Sequence, residues 1–151
     1  MHEVTVRRLV RGDEAAAGDT FAMMAGVFGE ASEPLPDDYL QDLLRRDSFW
    51  VLAAFLGPEI VGGLTAHTLP MTRSPSAELF IYDLAVHEDH QRAGVGSLLV
   101  HEMRQRAALA GINEVFVPAD NEDAHALDFY RAQGADGSPV TIFTLAPVGN
   151  R

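Results

Sequence analysis

The chain has 151 residues, 47% of them apolar and 22% charged, with no cysteine and a formal net charge of −11. That length fits a single domain, residues 1–151, with its own hydrophobic core; the missing cysteines exclude a disulfide framework, a thiolate zinc site and a cysteine nucleophile. The acidic balance disfavours nucleic acid and anionic membranes as partners and favours cationic ligands. No apolar run approaches the roughly 18 residues of a membrane span. The opening Met1-His2-Glu3-Val4-Thr5-Val6 lacks the regions of a signal peptide, so a cytoplasmic protein is expected.

Taken in chain order, the elements alternate in type. Val4–Leu9 predicts a strand. Asp13 to Phe28 predicts a helix with Asp13 as its N-cap. A second helix runs from Pro36 or Asp37 to Arg46, with proline suited to the first turn and Asp37 and Asp38 favoured by the positive helix end. Phe49–Phe55 and Ile60–Leu69 predict a hairpin across Leu56-Gly57-Pro58-Glu59. Ala77–Val86 predicts a long strand, Val95–Ala110 a helix ended by Gly111, Glu114–Val117 a short strand, Glu122–Gln133 a helix and Val140–Leu145 a last strand. The order βααβββαβαβ implies an α+β fold: a mixed, mainly antiparallel sheet flanked by helices, with the last strand beside Glu114–Val117.

The most informative segment lies where a strand ends at Val86 and a helix begins at Val95. It reads Gln91-Arg92-Ala93-Gly94-Val95-Gly96. Glycines let backbone N–H groups approach a ligand, a helix start supplies free N–H groups and a favourable dipole, and Arg92 adds charge-assisted donors, so the turn suits a phosphate. Gly-x-Gly alone would mean no more than a tight turn. It is neither Gly-x-Gly-x-x-Gly, because Leu99 holds the last position, nor a P-loop.

Leu84-Ala85-Val86 followed by this turn resembles the acetyl-CoA pyrophosphate loop of the GCN5-related N-acetyltransferases, and the element order is similar to theirs throughout. The resemblance implies acetyl-CoA as co-substrate, no metal, backbone contacts to the pyrophosphate from Gln91, Arg92, Ala93, Gly94, Val95, Gly96 and Ser97, and a pantetheine arm paired along Leu84, Ala85 and Val86. Asp123-Ala-His-Ala126-Leu-Asp-Phe129-Tyr130-Arg-Ala-Gln-Gly134 resembles the family's Asn-x-x-Ala-x-x-x-Tyr-x-x-x-Gly helix, with Asp123 in place of asparagine. By that resemblance Asp123 and Ala126 bind the coenzyme and Tyr130 protonates the departing thiolate; on the residues alone, Tyr130 could equally be a packed helix aromatic.

Asp38-Tyr39-Leu40, Val61-Gly62-Gly63-Leu64, Glu78-Leu79-Phe80-Ile81-Tyr82-Asp83-Leu84-Ala85-Val86 and Val117-Pro118-Ala119-Asp120 are similar to the type I aminoglycoside 3-N-acetyltransferases (gentamicin 3-N-acetyltransferases). The implied acceptor is an aminoglycoside, modified at its 3-amino group, with resistance as the outcome; the resemblance leaves a homodimer open.

Read as a regular strand, Ala77–Val86 puts Asp83 on one face with Leu79, Ile81 and Ala85, and Phe80, Tyr82 and Leu84 on the other. An unpaired carboxylate in a strand apolar on both faces costs on the order of several kcal/mol. Asp83 is therefore paired, protonated or open to a cavity, and a local bulge would re-aim it. As the functional residue it receives the acceptor ammonium and takes its proton. Glu33, Asp37, Asp38, Glu78, Tyr82, Asp120 and Glu122 are the candidate acceptor-binding residues, although each acid singly is an ordinary surface charge. The six histidines show no zinc spacing; His125, near the acidic turn, is the one placed to border the site. The expected chemistry is direct attack of a neutral amine in a ternary complex, with a backbone N–H near Leu84 steadying the oxyanion. A polyamine or peptide acceptor, and a non-catalytic acetyl-CoA-binding module, are the rival readings.

Overall fold

The structure, a computed structural model, describes residues 3–149. By chain contacts these fall into two compact units, the first ending at Pro118 and the second beginning at Ala119.

In the first unit β1 (Val4–Arg8), β2 (Phe49–Leu56), β3 (Glu59–Pro70), β4 (Ala77–Val86) and β5 (Glu114–Phe116) form one sheet in that order. The first three pairings are antiparallel and β4–β5 is parallel, the mixed sheet that the element order predicts. The helices are α1 (Glu14–Val27), α2 (Asp37–Arg45) and α3 (Val95–Leu109).

Two adjacent glycines in β3 decide how closely the helices approach. A Cβ on Gly63 would lie 2.7 Å from Met24 Sδ and 2.7 Å from Thr20 Cγ2 of α1. A Cβ on Gly62 would lie 2.9 Å from Val95 Cγ1 and 3.1 Å from Leu99 Cδ1 of α3. Neighbouring strand residues point to opposite faces, so α1 covers one face and α3 the other. From α1, Ala17, Thr20 and Met24 are buried; the Thr20 hydroxyl donates to Ala16 O at 2.7 Å and so carries no unpaired polar group inward. From α3, Val95, Leu99, Met103 and Ala107 repeat every fourth residue and form its buried stripe. On the α1 side Leu9, Ala17, Leu40, Leu44, Phe49, Val51 and Ala53 make a continuous core cluster.

Most expected boundaries lie within two residues of those observed. Asp13 precedes α1, but its side chain makes no cap: Oδ2 turns back to accept from Val10 N at 2.8 Å and from Arg7 Nη1 at 3.1 Å. In the second unit α4 (Ala124–Ala132) is capped by Asp123, whose Oδ1 accepts from Ala126 N at 3.0 Å.

The expected last strand is a correction. Val140–Leu145 is irregular, and Phe143 and Leu145 are 86% and 89% exposed. Alternating β-formers make a strand only when a ladder partner and a face to bury are both supplied, and here the apolar side chains stay in solvent. No helix among the described residues is long and apolar enough to cross a membrane.

Candidate active site

Two features of β4 build the site. The first is a bulge. Thr65 pairs with Asp83 and Ala66 with Ile81, so Tyr82 has no partner on β3. Before the bulge, Phe80 is opposite His67; after it, Asp83 is opposite Thr65 and Ala85 opposite Gly63. His67, Thr65 and Gly63 share the face that α1 covers at Gly63. The extra residue reverses the alternation and brings Asp83 to the same face as Phe80 and Tyr82, where uninterrupted pleating would set it opposite them.

Asp83 is half-buried there. Burial holds its carboxyl above the ordinary aspartate range, and the neighbouring Glu30 carboxylate raises it further. Glu30 arrives by a helix-end motif. Gly29 takes a left-handed φ of 70°, Glu30 N donates to Ala25 O at 2.9 Å and Gly29 N to Gly26 O at 3.1 Å, closing α1 and fixing where the chain leaves it. The result is a half-dry carboxylate with raised proton affinity beside a second negative charge, a setting suited to receive an ammonium and take up its proton.

The second feature is a free edge. β5 pairs with β4 only through Glu78, Leu79 and Phe80. β5 ends at Phe116, opposite Phe80, and the β5-side backbone of Tyr82 to Val86 has no ladder partner in the sheet. An extended amide-bearing chain can add there as a strand does. Leu84, Ala85 and Val86 thus fit the pantetheine role that the resemblance implies.

The edge runs directly into the glycine turn. Gln91 Nε2 donates to Val86 O at 3.0 Å and ties the turn to the end of β4. Arg92 has a φ of 65°, the one positive value among the described non-glycine residues, and Gly94 has 84°. Left-handed residues in such turns gather backbone N–H groups into an anion-binding concavity, and strain of this kind persists where surrounding structure holds it. Gly94 stands at the N-cap of α3, accepting from Leu98 N at 3.0 Å, so the first N–H groups of α3, beginning with Val95 and Gly96, lack helical carbonyls. Gln91, Arg92, Ala93, Gly94 and Ser97 are exposed while Val95 anchors the turn in the core. These residues fit a pyrophosphate. Nothing lies within 4 Å of the Cβ position of Gly94, so the space above the turn is open to a ligand.

The other expected residues are dispersed. Glu78 sits beside Glu114 across the β4–β5 ladder; a hydrogen bond between the two carboxyl groups raises the Glu78 proton affinity, with some desolvation adding to it. Tyr82 is 62% exposed. Glu33 lies in the exposed loop before α2. Asp37 and Asp38 open α2, and Asp38 Oδ1 accepts from Tyr39 N at 2.9 Å. The groove that Asp38 borders also contains Arg11 and Arg45, so it is not an acidic wall. In the second unit, Asp120 Oδ1 accepts from Glu122 N at 2.9 Å and folds the acidic turn on itself. Asp123 caps α4 with Ala126 as its donor, which gives both residues a helix-start role. Tyr130 packs edge-on to Phe129 at 5.1 Å on α4, and His125 is exposed. No group of three or more metal-ligating side chains is gathered among the described residues.

Sequence reasoning missed Glu30, Glu114, His67, Phe80 and Phe116. Only the register of β3, β4 and β5 brings the last four together, and nothing local signals that the end of α1 reaches Asp83.

A glycine turn at a helix start, continuous with a free strand edge, is an arrangement that suits a coenzyme A thioester. Residues 19–135 match the acetyltransferase (GNAT) family, and the chain belongs to that family, whose members use acetyl-CoA. Similar solved structures include the aminoglycoside acetyltransferase meta-AAC0020 from an uncultured soil metagenomic sample. In complex with trehalose it is 35% identical, with a TM-score of 0.88 over 95% of this chain and 97% of that one. In complex with sisomicin the identity is 33% and the TM-score 0.88, with the same coverage. The aminoglycoside acetyltransferase HMB0005, also from an uncultured soil metagenomic sample, is 28% identical with a TM-score of 0.89, covering 96% of this chain and 99% of that one. No curated relative matches the chain.

Proposed function

We propose that this acetyltransferase moves the acetyl group of acetyl-CoA to the 3-amino group of an aminoglycoside, by direct attack in a ternary complex, and so confers resistance. The observation that carries the reading is Asp83, turned by the bulge onto the same face as the exposed Tyr82 and held at raised proton affinity. An aminoglycoside is a polycation at neutral pH, yet only its free amine attacks. A half-dry carboxylate attracts the ammonium and then accepts its proton. The similar meta-AAC0020 structure with sisomicin supports this class of acceptor.

Gln91 to Ser97 would hold the pyrophosphate and Leu84 to Val86 the pantetheine arm; the thioester supplies the acetyl group when bound. A backbone N–H near Leu84 donates to the oxygen that gains charge during attack. Tyr130, on the motif spacing of α4, donates a proton to the departing thiolate. The acids at Glu33, Asp37, Asp38, Asp120 and Glu122 add to the field that draws a polycation, an effect weakened by salt.

The test is thiol release from acetyl-CoA against a panel of aminoglycosides, polyamines and peptide amines, with the acetylated position of the product fixed by NMR. Turnover confined to aminoglycosides with a free 3-amino group is the expected result. Turnover only on polyamines or peptides would move the acceptor class, and none on any amine would favour a non-catalytic module.

A further inference from the structure

Phe49, His67, Phe80 and Phe116 are register partners, one on each of four adjacent strands, and form an aromatic row across the α1-side face of the sheet. Ring centroids are 5.3 Å apart for Phe49 and His67, and 5.2 Å for Phe80 and Phe116, which stack at 15°. Tyr82, one step along β4, lies edge-on to both Phe80 at 5.8 Å and His67 at 5.9 Å. Phe21 of α1 packs over the Phe49 end at 6.4 Å. The other end is open: Tyr82 is 62% and Phe116 39% exposed. Carboxylates bracket this open end. Glu78 and Glu114 stand one row beyond Phe80 and Phe116, and Asp83 with Glu30 lies on the other side of Tyr82.

We infer that Tyr82, Phe80, Phe116 and His67 form a platform for the rings of a cationic amino sugar, with Glu114 and Glu78 seating a second ammonium group far from the one delivered to Asp83. Tyr82 and Phe116 are exposed and His67 and Phe80 half-buried, so the packed rings offer a contiguous, partly open aromatic surface. The C–H faces of a saccharide ring and its ammonium groups are both attracted to aromatic faces. The carboxylates at the two ends match a ligand charged at both ends. From Glu78 to Asp83 is roughly 15 Å of strand, and from Phe116 to His67 about 10 Å across two strand spacings. That area suits linked six-membered rings. A linear polyamine would gain from the carboxylates but little from the platform. The inference rests on the acetyltransferase reading above and specifies which acceptor chemistry the site selects.

Tyr82→Ala and Glu114→Gln are the informative variants, because both side chains are exposed and their loss leaves the core intact. Sisomicin serves as the acceptor, and glucosamine and spermidine as competitors whose inhibition constants against sisomicin acetylation report their binding. For Tyr82→Ala the KM for sisomicin is expected to rise about tenfold with kcat within a factor of about two, and the inhibition constant of spermidine to stay near wild type. Glu114→Gln is expected to raise the KM for sisomicin but not the inhibition constant of glucosamine, which has one ammonium. Equal effects of Tyr82→Ala on sisomicin and spermidine, or none on either, would overturn the platform. Calorimetric binding of sisomicin to the same proteins separates the two readings. Binding that weakens in Tyr82→Ala without any acetyl transfer keeps the platform and removes the reaction. Binding unchanged in Tyr82→Ala, with transfer intact, removes the platform alone.

Discussion

Asp83 stands opposite Thr65 at the point where β4 carries one residue more than β3. That extra residue, Tyr82, turns a carboxylate from an expected core position to the face shared with Phe80 and His67. Replacing the charge should therefore separate stability from activity. Asp83 has a folded-state pKa above its unfolded value, so what it contributes to stability is present at low pH and lost as pH rises through the folded pKa. At neutral pH the ionised form opposes folding. Asp83→Asn is expected to lower kcat/KM for an aminoglycoside about 10²-fold or more, leave acetyl-CoA affinity unchanged, and raise Tm at neutral pH relative to wild type. Near-normal turnover in the folded variant would end the base assignment.

The Glu30 charge raises the proton affinity of Asp83. With Glu30→Gln that repulsion disappears and the Asp83 pKa falls. The acidic limb of the kcat/KM profile should move to lower pH, because the base stays ionised further into acid. A limb that stays in place, or moves upward, would show that another group titrates there.

Gly94 has a φ of 84° and open space where a side chain would point. Valine at that position adds about 1–2 kcal/mol of backbone strain and places its branches over the N–H groups of the turn. Gly94→Val is expected to weaken acetyl-CoA binding at least about tenfold by calorimetry. Arg92→Gly should relieve the strain of a left-handed arginine and raise Tm slightly, while reducing acetyl-CoA affinity through the lost guanidinium. Unchanged affinity in both variants would move the pyrophosphate elsewhere.

Gly63→Ala sets a methyl 2.7 Å from Thr20 Cγ2, and Gly62→Ala sets one 2.9 Å from Val95 Cγ1. Each contact is with a β-branched side chain that has little room to turn away. Each substitution is expected to cost about 1–3 kcal/mol in denaturant unfolding. Gly63→Ala combined with Thr20→Ser should recover part of the loss, and absence of any recovery would mean that the contact is not the cause.

Tyr130→Phe keeps the ring that packs on Phe129 and removes the hydroxyl. If the hydroxyl serves the leaving thiolate, kcat falls while the KM for each substrate and the Tm change little. Wild-type turnover would make Tyr130 a packing residue of α4.

The sequence by itself determined the order and type of nine elements, the helix start at Val95 and the glycine turn before it. These features are local: apolar period, turn glycines and helix ends act within a few residues of one another. Its one false element, Val140–Leu145, has a strand's alternation, but propensity alone cannot supply a ladder partner. Tertiary structure alone decided the face of Asp83. A two-residue period does not reveal which residue the partner strand will skip, and one skipped residue reverses every side chain beyond it. The same holds for Glu30, carried to Asp83 by the end of α1, and for the row from Phe49 to Phe116. Those residues are distant in the chain and become neighbours only when four strands settle into register, held where α1 and α3 meet the bare backbone of Gly63 and Gly62.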